Sequence, residues 1–147
     1  MSTVVTGLYD QDFYAWAMKN AELIRQGRFA ETDLEHITEE LESMGRSEWY
    51  ELVDRLAVLL AHLLKWRYQP ERRGNSGRLT IKEQRRRVGL RLKKSPSLKH
   101  EIDETLAEAY ETAALKAAKE MKVDESRFPP ACPFSLEQVL DRDYWPD

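Results

Sequence analysis

The chain has 147 residues, of which 41% are hydrophobic and 33% charged, and its formal net charge at pH 7 is −3. A chain of this length buries enough surface to fold without disulfides or a structural metal, so the sequence predicts a single domain over residues 1–147. A lone cysteine excludes a disulfide-stapled protein, and an N-terminus without a basic leader argues against a secreted one. The longest apolar run, nine residues, is too short to span a membrane. Together these features favour the cytoplasm.

Two helices are predicted in the first half of the chain. Aromatic and aliphatic residues at helical spacing indicate a helix over residues 10–27, which an aspartate can cap and a glycine can end. Apolar residues then recur at steps of three and four over residues 34–68. Two interpretations of this second segment stay open: one long helix kinked near Gly45, or two helices with Ser47 capping the second.

Three further helices are predicted after a loop of turn-forming residues. A capping box at Thr80 begins one that ends near Lys94, a second follows from Pro96 to Met121, and a short one begins at Ser135. No segment alternates with the period of two expected of a strand. The sequence therefore predicts an all-α bundle of four main helices plus a short C-terminal helix, in which the second main helix is long and, on one of the two open interpretations, kinked near Gly45.

Charge is unevenly distributed along the chain. Residues 1–64 hold five Lys and Arg against twelve Asp and Glu, a net charge of −7, and residues 101–147 hold the same numbers. Residues 65–100 hold thirteen basic side chains against two acidic ones, a net charge of +11. Such a segment either binds phosphate groups or neutralises acidic helices within the bundle, and the acidic overall balance favours the second. The candidate residues for binding nucleic acid or another anion are Arg72, Arg73, Arg78, Arg86 and Arg87.

Several polar side chains fall on apolar helix faces. Arg85 lies four residues after Ile81 and therefore points inward, where a guanidinium requires a carboxylate partner. Glu40 lies on the apolar face of the second predicted helix, so we predict a buried Glu40–Arg85 ion pair. The predicted polar core, which would fix helix register, comprises Glu39, Glu40, His62, Lys65, Gln84 and Arg85.

One pair permits an enzymatic interpretation. Arg55 and His62, two turns apart on one helix face, resemble the Arg-x4-6-His motif of the HEPN ribonuclease superfamily, whose members are all-α and act without metal. In such a site the histidine serves as acid or base, and the arginine stabilises charge on phosphorus. The polar residue that usually follows the arginine is absent here, because position 56 is leucine.

Metal and cofactor sites are not predicted. The sequence lacks the two Glu-x-x-His pairs of di-iron bundles, and no two histidines share a helical turn. Gly-rich phosphate loops and nucleophile motifs do not occur either. We therefore expect no metal and no cofactor.

Six segments spread over most of the chain resemble one known family. They read LYDQDFYAWA, ELESMGRSE, LLAHLLKWRYQPERR, TIKEQRRR, SPSLK and FPPACPFSLEQVL, and together they are similar to the bacterial domain of unknown function 29 family. That resemblance implies an all-helical fold and no assigned activity. We expect a helical-bundle protein that works by binding a protein partner or a second copy of itself, and nucleic acid is the alternative partner. We expect no association with a membrane, and the sequence does not favour enzymatic activity.

Overall fold

A computed structural model describes residues 3–147, and over these residues it contains helices and no strand, which confirms the predicted all-α fold. Five of the helices are substantial, one more than predicted, and the sixth is a short C-terminal helix. The helices are α1 (Thr3–Gln11), α2 (Phe13–Arg25), α3 (Leu34–Tyr68), α4 (Asn75–Lys94), α5 (Ile102–Met121) and α6 (Leu136–Leu140). None of the described helices is long and apolar enough to span a bilayer.

Two compact units divide the chain: an N-terminal unit, Met1–Ser47, and a C-terminal unit, Glu48–Asp147. Helix α3 begins in the first and ends in the second. The prediction of a single domain over residues 1–147 concerns cooperative folding and stays a prediction.

The N-terminal unit contains α1, α2 and the first part of α3. Its small core consists of Val5, Trp16 and Leu23, which are at most 5% exposed. Asp12 caps α2 by accepting a hydrogen bond from the backbone N–H of Ala15 at 3.0 Å, so α2 begins at Phe13 rather than at residue 10. Gly27 has φ of +73°, the left-handed conformation that favours glycine after a helix, as the sequence predicts.

The C-terminal unit has one core, formed by α3, α4, α5 and the segment that contains α6. Leucines of α3 at steps of three and four lie at its centre, because that spacing places them on one helix face. The largest fully buried side chains of this core are Leu52, Leu56, Leu59, Leu60, Leu63, Leu64, Ile81, Val88 and Val139.

Helix α3 runs without interruption for 35 residues, which is about 52 Å at 1.5 Å per residue. Of the two interpretations left open by the sequence, the single helix is therefore correct. Gly45 keeps an ordinary helical backbone and Ser47 caps nothing, because the helical hydrogen bonds continue through both residues.

Two helix starts differ from the prediction. Helix α4 begins at Asn75, five residues before the expected capping box. Thr80 does not cap it, because the Thr80 hydroxyl donates to the Ser76 carbonyl at 3.0 Å within the helix. Helix α5 begins at Ile102, since Pro96–Lys99 forms a separate 3₁₀ turn. The capping box of Ser135 and Gln138 before α6 is confirmed.

Candidate anion-binding cavity

Arg85 is 4% exposed and is held by backbone carbonyl groups of the C-terminal segment. Its Nε donates to the Val139 carbonyl at 2.8 Å, and its Nη2 donates to the carbonyls of Tyr144 at 2.8 Å and Gln138 at 3.2 Å. The guanidinium also lies over the ring of Trp145, 5.4 Å from its centroid. Carbonyl groups at the end of α6 lack helical partners and carry partial negative charge, so they can replace a carboxylate.

The predicted Glu40–Arg85 ion pair is therefore wrong in its partner. Burial lowers the pKa of Arg85, but arginine stays protonated in proteins. Two buried polar atoms of this region have no hydrogen-bond partner among the described residues: Nη1 of Arg85 and Oε1 of Gln84.

Glu40 belongs to a contact within the N-terminal unit, where its carboxylate accepts a hydrogen bond from the Tyr9 hydroxyl. That hydrogen bond, assisted by burial, raises the pKa of Tyr9 to about 12. Glu39, which the sequence also assigned to the polar core, is exposed on α3.

A second buried network of the N-terminal unit centres on Asp33, which is fully buried. Its Oδ2 accepts hydrogen bonds from Trp16 Nε1 at 2.9 Å and His36 Nδ1 at 2.7 Å, and its backbone N–H donates to Asn20 Oδ1 at 2.8 Å. The ring of Tyr9 stacks on that of His36, with centroids 3.9 Å apart. The spacing of three residues between Asp33 and His36, at the start of α3, is a sequence signal for this pair.

A cavity of about 290 Å³ in the C-terminal unit lies where α3 ends and α4 begins. It brings together two residues of the predicted polar core, His62 and Lys65, with two arginines of the basic segment. Its lining residues are His62, Lys65, Trp66, Gln69, Arg72, Arg73, Gly74, Ser76, Gly77 and Glu120.

Lys65 and His62 form the α3 wall of this cavity. Lys65 is paired with Glu120 of α5, and that hydrogen bond lowers the pKa of Glu120. His62 Nδ1 lies 3.0 Å from the Val58 carbonyl, which can only accept, so this nitrogen carries the proton and Nε2 is an acceptor. Burial lowers the pKa of His62, assisted by the charge of Lys65, so the ring is neutral at pH 7.

Arg73 and Trp66 form an aromatic and cationic wall. Arg73 Nε donates to the Trp66 carbonyl at 2.7 Å, and its guanidinium lies 5.5 Å from the Trp66 ring centroid. Trp145 packs on the same indole, with centroids 4.7 Å apart. Within residues 3–147, neither Arg72 nor Arg73 takes part in an ion pair, so their charge is not neutralised by a carboxylate.

The N-terminus of α4 completes the cavity. Gly74, the N-cap residue, makes no side-chain cap, and the first turn holds no acidic side chain. The first backbone N–H groups of a helix have no helical acceptor, and the helix dipole places partial positive charge there. Gly74, Ser76 and Gly77 line the cavity, so this positive end opens into it beside Arg72. The arrangement favours an anion.

Arg55 and His62 do not come together in one cleft. Arg55 is paired with Glu51 at 2.8 Å and lines a different cavity of about 210 Å³, together with Arg87 and Arg91 of α4. A ribonuclease site requires both side chains on the same phosphate, and this placement argues against that interpretation.

The remaining basic candidates lie along α4. Arg78 bonds to the Asn75 side chain at 2.8 Å, and Arg87 pairs with Glu83 at 2.5 Å. Arg86 is exposed beside a groove of about 660 Å³ between α4 and the C-terminal segment. These three arginines thus lie outside the cavity that contains Arg72. In the part of the chain that the structure describes, no group of three or more His, Cys, Asp or Glu side chains could hold a metal ion.

A family model described as Domain of unknown function DUF29 matches residues 8–145. The chain belongs to the DUF29 family. Both the cavity and Arg85 lie within the residues that the DUF29 model matches, as do Asp33 and His36. No curated protein and no solved structure gives a significant match to this DUF29 chain.

Proposed function

We propose that this DUF29 protein is a cytoplasmic binding module that holds the phosphate group of a small ligand in the cavity between α3 and α4. The observation that carries this proposal is the opening of an uncapped 20-residue helix into the same cavity as two arginines that lack carboxylate partners. Backbone N–H groups at a helix N-terminus and arginine side chains are the donors that proteins use for phosphate.

Each lining residue has a chemical role in this proposal. Arg72 is exposed and unpaired, so its guanidinium can donate two parallel hydrogen bonds to the phosphate. Arg73 is fixed by the Trp66 carbonyl and supplies positive charge at a constant position. Neutral His62 offers Nε2 as an acceptor for a ligand hydroxyl. The volume of about 290 Å³ is near the lower end of small-molecule pockets, which suits a phosphate group on a small body.

A binding role also agrees with the contacts that fix the side chains lining the cavity. Lys65 is paired with Glu120 of α5, and Arg73 donates to the Pro146 carbonyl at 3.2 Å, so two of the lining side chains are anchored to α5 and to the C-terminal segment. These contacts favour a site formed before the ligand arrives, which lowers the entropic cost of binding.

The test is calorimetric titration of the protein with inorganic phosphate, nucleoside monophosphates and sugar phosphates. Removing a charged hydrogen bond costs about 1.5–3 kcal/mol, so Arg72→Gln should weaken binding by roughly tenfold or more. Arg67→Gln is the matched control, because Arg67 is exposed near the end of α3, five residues before Arg72, but does not line the cavity. Equal affinities of the two variants, or no binding of any of these compounds to the unmodified protein, would contradict the proposal.

Nucleic-acid binding is a second candidate, and it is favoured by a different observation. Arg78, Lys82, Arg86 and Lys93 follow one another at steps of four, four and seven residues, so they share one exposed side of α4. A strip of this kind tracks a phosphate backbone and makes affinity fall with salt. Changing Lys82 and Arg86 to glutamine should then reduce the salt-dependent retention of the protein on single-stranded DNA, whereas Arg72→Gln should leave most of it.

A further inference from the structure

The N-terminal unit exposes an unusual amount of apolar side chain. Eight of its large hydrophobic residues are between 44% and 75% exposed. They are Phe13, Tyr14, Met18, Ile24, Phe29, Leu34, Leu41 and Met44. At about 150–250 Å² for a large side chain, these eight together present on the order of 900 Å². One partner of a stable protein interface typically contributes about 800 Å², of which only part is apolar, so rows drawn from these eight residues can supply its apolar portion.

The spacing of these residues is that of helix faces that pack on another helix. Phe13 and Ile24 lie eleven residues apart, on one side of α2, with Ala17 and Ala21 between them. On α3, Leu34, Leu41 and Met44 form a row with half-buried Ile37. Solvent-facing helix surfaces are ordinarily polar, so these rows indicate surfaces that are covered when the protein works.

The charge beside these rows specifies the surface that can cover them. The N-terminal unit has four basic and nine acidic residues, a net charge of −5. Glu35 and Glu39, both exposed, lie one turn apart beside the Leu34–Leu41 row. Two identical acidic faces would repel each other, so the covering surface must be basic as well as apolar.

Helix α4 has the complementary properties. It carries eight basic side chains and one acidic one, and its Leu79 and Leu90 are 48% and 51% exposed. These leucines are eleven residues apart, the same spacing as Phe13 and Ile24, and therefore share one side of α4. Lys82 and Arg86 lie between them and can lay their aliphatic stems on apolar surface while their charged ends meet carboxylates.

We propose that the protein forms a two-fold homodimer in which the apolar, acidic face of the N-terminal unit of each copy covers the basic face of α4 of the other copy. Such an exchange closes on itself and uses each face once, as symmetric dimers require. It goes beyond the proposed ligand site, because no residue of the cavity takes part, and it is an alternative to nucleic-acid binding, because the partner copy would cover Lys82 and Arg86. Opposite charges steer the two faces together, and the apolar rows supply most of the stabilisation.

Sedimentation equilibrium or light scattering at micromolar concentration tests the proposal. The unmodified protein should have twice the 17.2 kDa mass of one chain. Leu41→Glu with Met44→Glu should give a monomer, whereas Leu115→Glu, at another exposed leucine, should leave the dimer intact. Raising the salt concentration from about 0.05 to 0.5 M should weaken the dimer, because screening reduces the attraction between the faces. A protein that stays monomeric under all these conditions would overturn the inference.

A charge exchange tests the pairing of the two faces. Glu35→Lys with Glu39→Lys should produce a monomer, as should Lys82→Glu with Arg86→Glu. The variant that carries all four changes should regain the dimer, because the charges are opposite again with their signs reversed. A dimer unaffected by the α4 changes and strengthened by salt would show that two N-terminal faces pack on each other, which refutes the arrangement proposed. Arg72→Gln should leave the dimer intact while it weakens ligand binding, so the two proposals fail separately.

Discussion

Among single residues, Arg85 does most to join α4 to the end of the chain. Its three hydrogen bonds go to carbonyl groups of α6 and of the segment that follows, and its guanidinium packs on Trp145. The last carbonyl groups of α6 have no helical N–H group to accept from, because the helix ends there. Arg85 supplies the hydrogen bonds that this helix terminus lacks. A buried arginine is thus stabilised without any carboxylate in contact with it.

Arg85→Ala should lower the free energy of unfolding by roughly 3 kcal/mol, because it leaves several buried carbonyl groups without donors and removes packing on Trp145. Lysine should not restore stability, since one ammonium cannot match the geometry of the guanidinium fork. Urea denaturation measures the change. Arg127→Ala, at an exposed arginine, is the control and should change the free energy by no more than about 0.5 kcal/mol. Equal effects of the two alanine variants would show that Arg85 contributes no more than a surface residue.

The pair of Asp33 and His36 makes the stability of the N-terminal unit depend on pH. The hydrogen bond to Asp33 raises the pKa of His36, so this contribution is complete below about pH 6.5, the unfolded value, and is lost as the pH rises through the folded pKa. Burial opposes ionisation of Asp33, but hydrogen bonds from Trp16 and His36 outweigh it and lower its pKa. The Asp33 contribution is therefore complete above about pH 4 and lost in stronger acid.

The N-terminal unit should accordingly be most stable between about pH 4 and 6.5 and less stable at about pH 8.5. Protection factors of the α2 amide groups, which give the slowing of hydrogen exchange corrected for the intrinsic effect of pH on exchange, should be larger at pH 5.5 than at pH 8.5. His36→Ala should remove the dependence, whereas His100→Ala, at an exposed histidine of the C-terminal unit, should keep it. Protection factors that are smaller at pH 5.5 than at pH 8.5 would contradict the assignment of the proton to this pair.

At the scale of helices, α3 shows how a glycine can stand in a long helix without interrupting it. Gly45 keeps helical dihedral angles, and a Cβ atom built on it would meet nothing within 4 Å. Glycine within a helix costs conformational entropy relative to alanine and offers no side chain in return. At this position it therefore weakens α3 locally.

Gly45→Ala should raise the free energy of unfolding of the protein by about 0.5–1 kcal/mol. Circular dichroism during urea denaturation measures the gain. Gly27→Ala is the matched opposite case, because its φ of +73° strains any residue with a Cβ atom, and it should destabilise by about 1 kcal/mol. A loss of stability in Gly45→Ala would show that α3 must bend at this glycine.

Sequence periodicity predicts which segments are helical, but it is less accurate about where each helix begins and ends. The repeat of leucines predicts residues 34–68 correctly, and Gly27 and Ser135 mark real helix boundaries. Helix α1 was not predicted, since its nine residues include β-branched residues and Gly7, which favour a helix only weakly, and the start of α4 was placed too late. The α4 start matters most, because the helix N-terminus that opens into the cavity is at Asn75.

At the scale of the whole molecule, the sequence identifies polar residues on apolar helix faces but not the groups that these residues contact. The sequence singles out His62, Lys65 and Arg85 as polar groups on apolar faces, and in the structure they are half-buried or buried. The partners of His62 and Arg85 are backbone carbonyl groups, which carry no sequence signal. The partner of Lys65 is Glu120, which lies 55 positions away and could not be predicted from spacing either. The alternating charge of −7, +11 and −7 likewise predicts attraction without saying between which surfaces.

The close approach of Trp66 and Trp145 gives the protein a built-in optical reporter. Their indole rings, with centroids 4.7 Å apart, join the end of α3 to residues almost at the C-terminus. Asymmetric aromatic packing of this kind generates near-ultraviolet circular dichroism, which vanishes when side chains lose fixed positions. Because Trp66 lines the cavity and Trp145 lies against Arg85, this band should change when a ligand enters the cavity and also when the segment that contains Trp145 leaves Arg85.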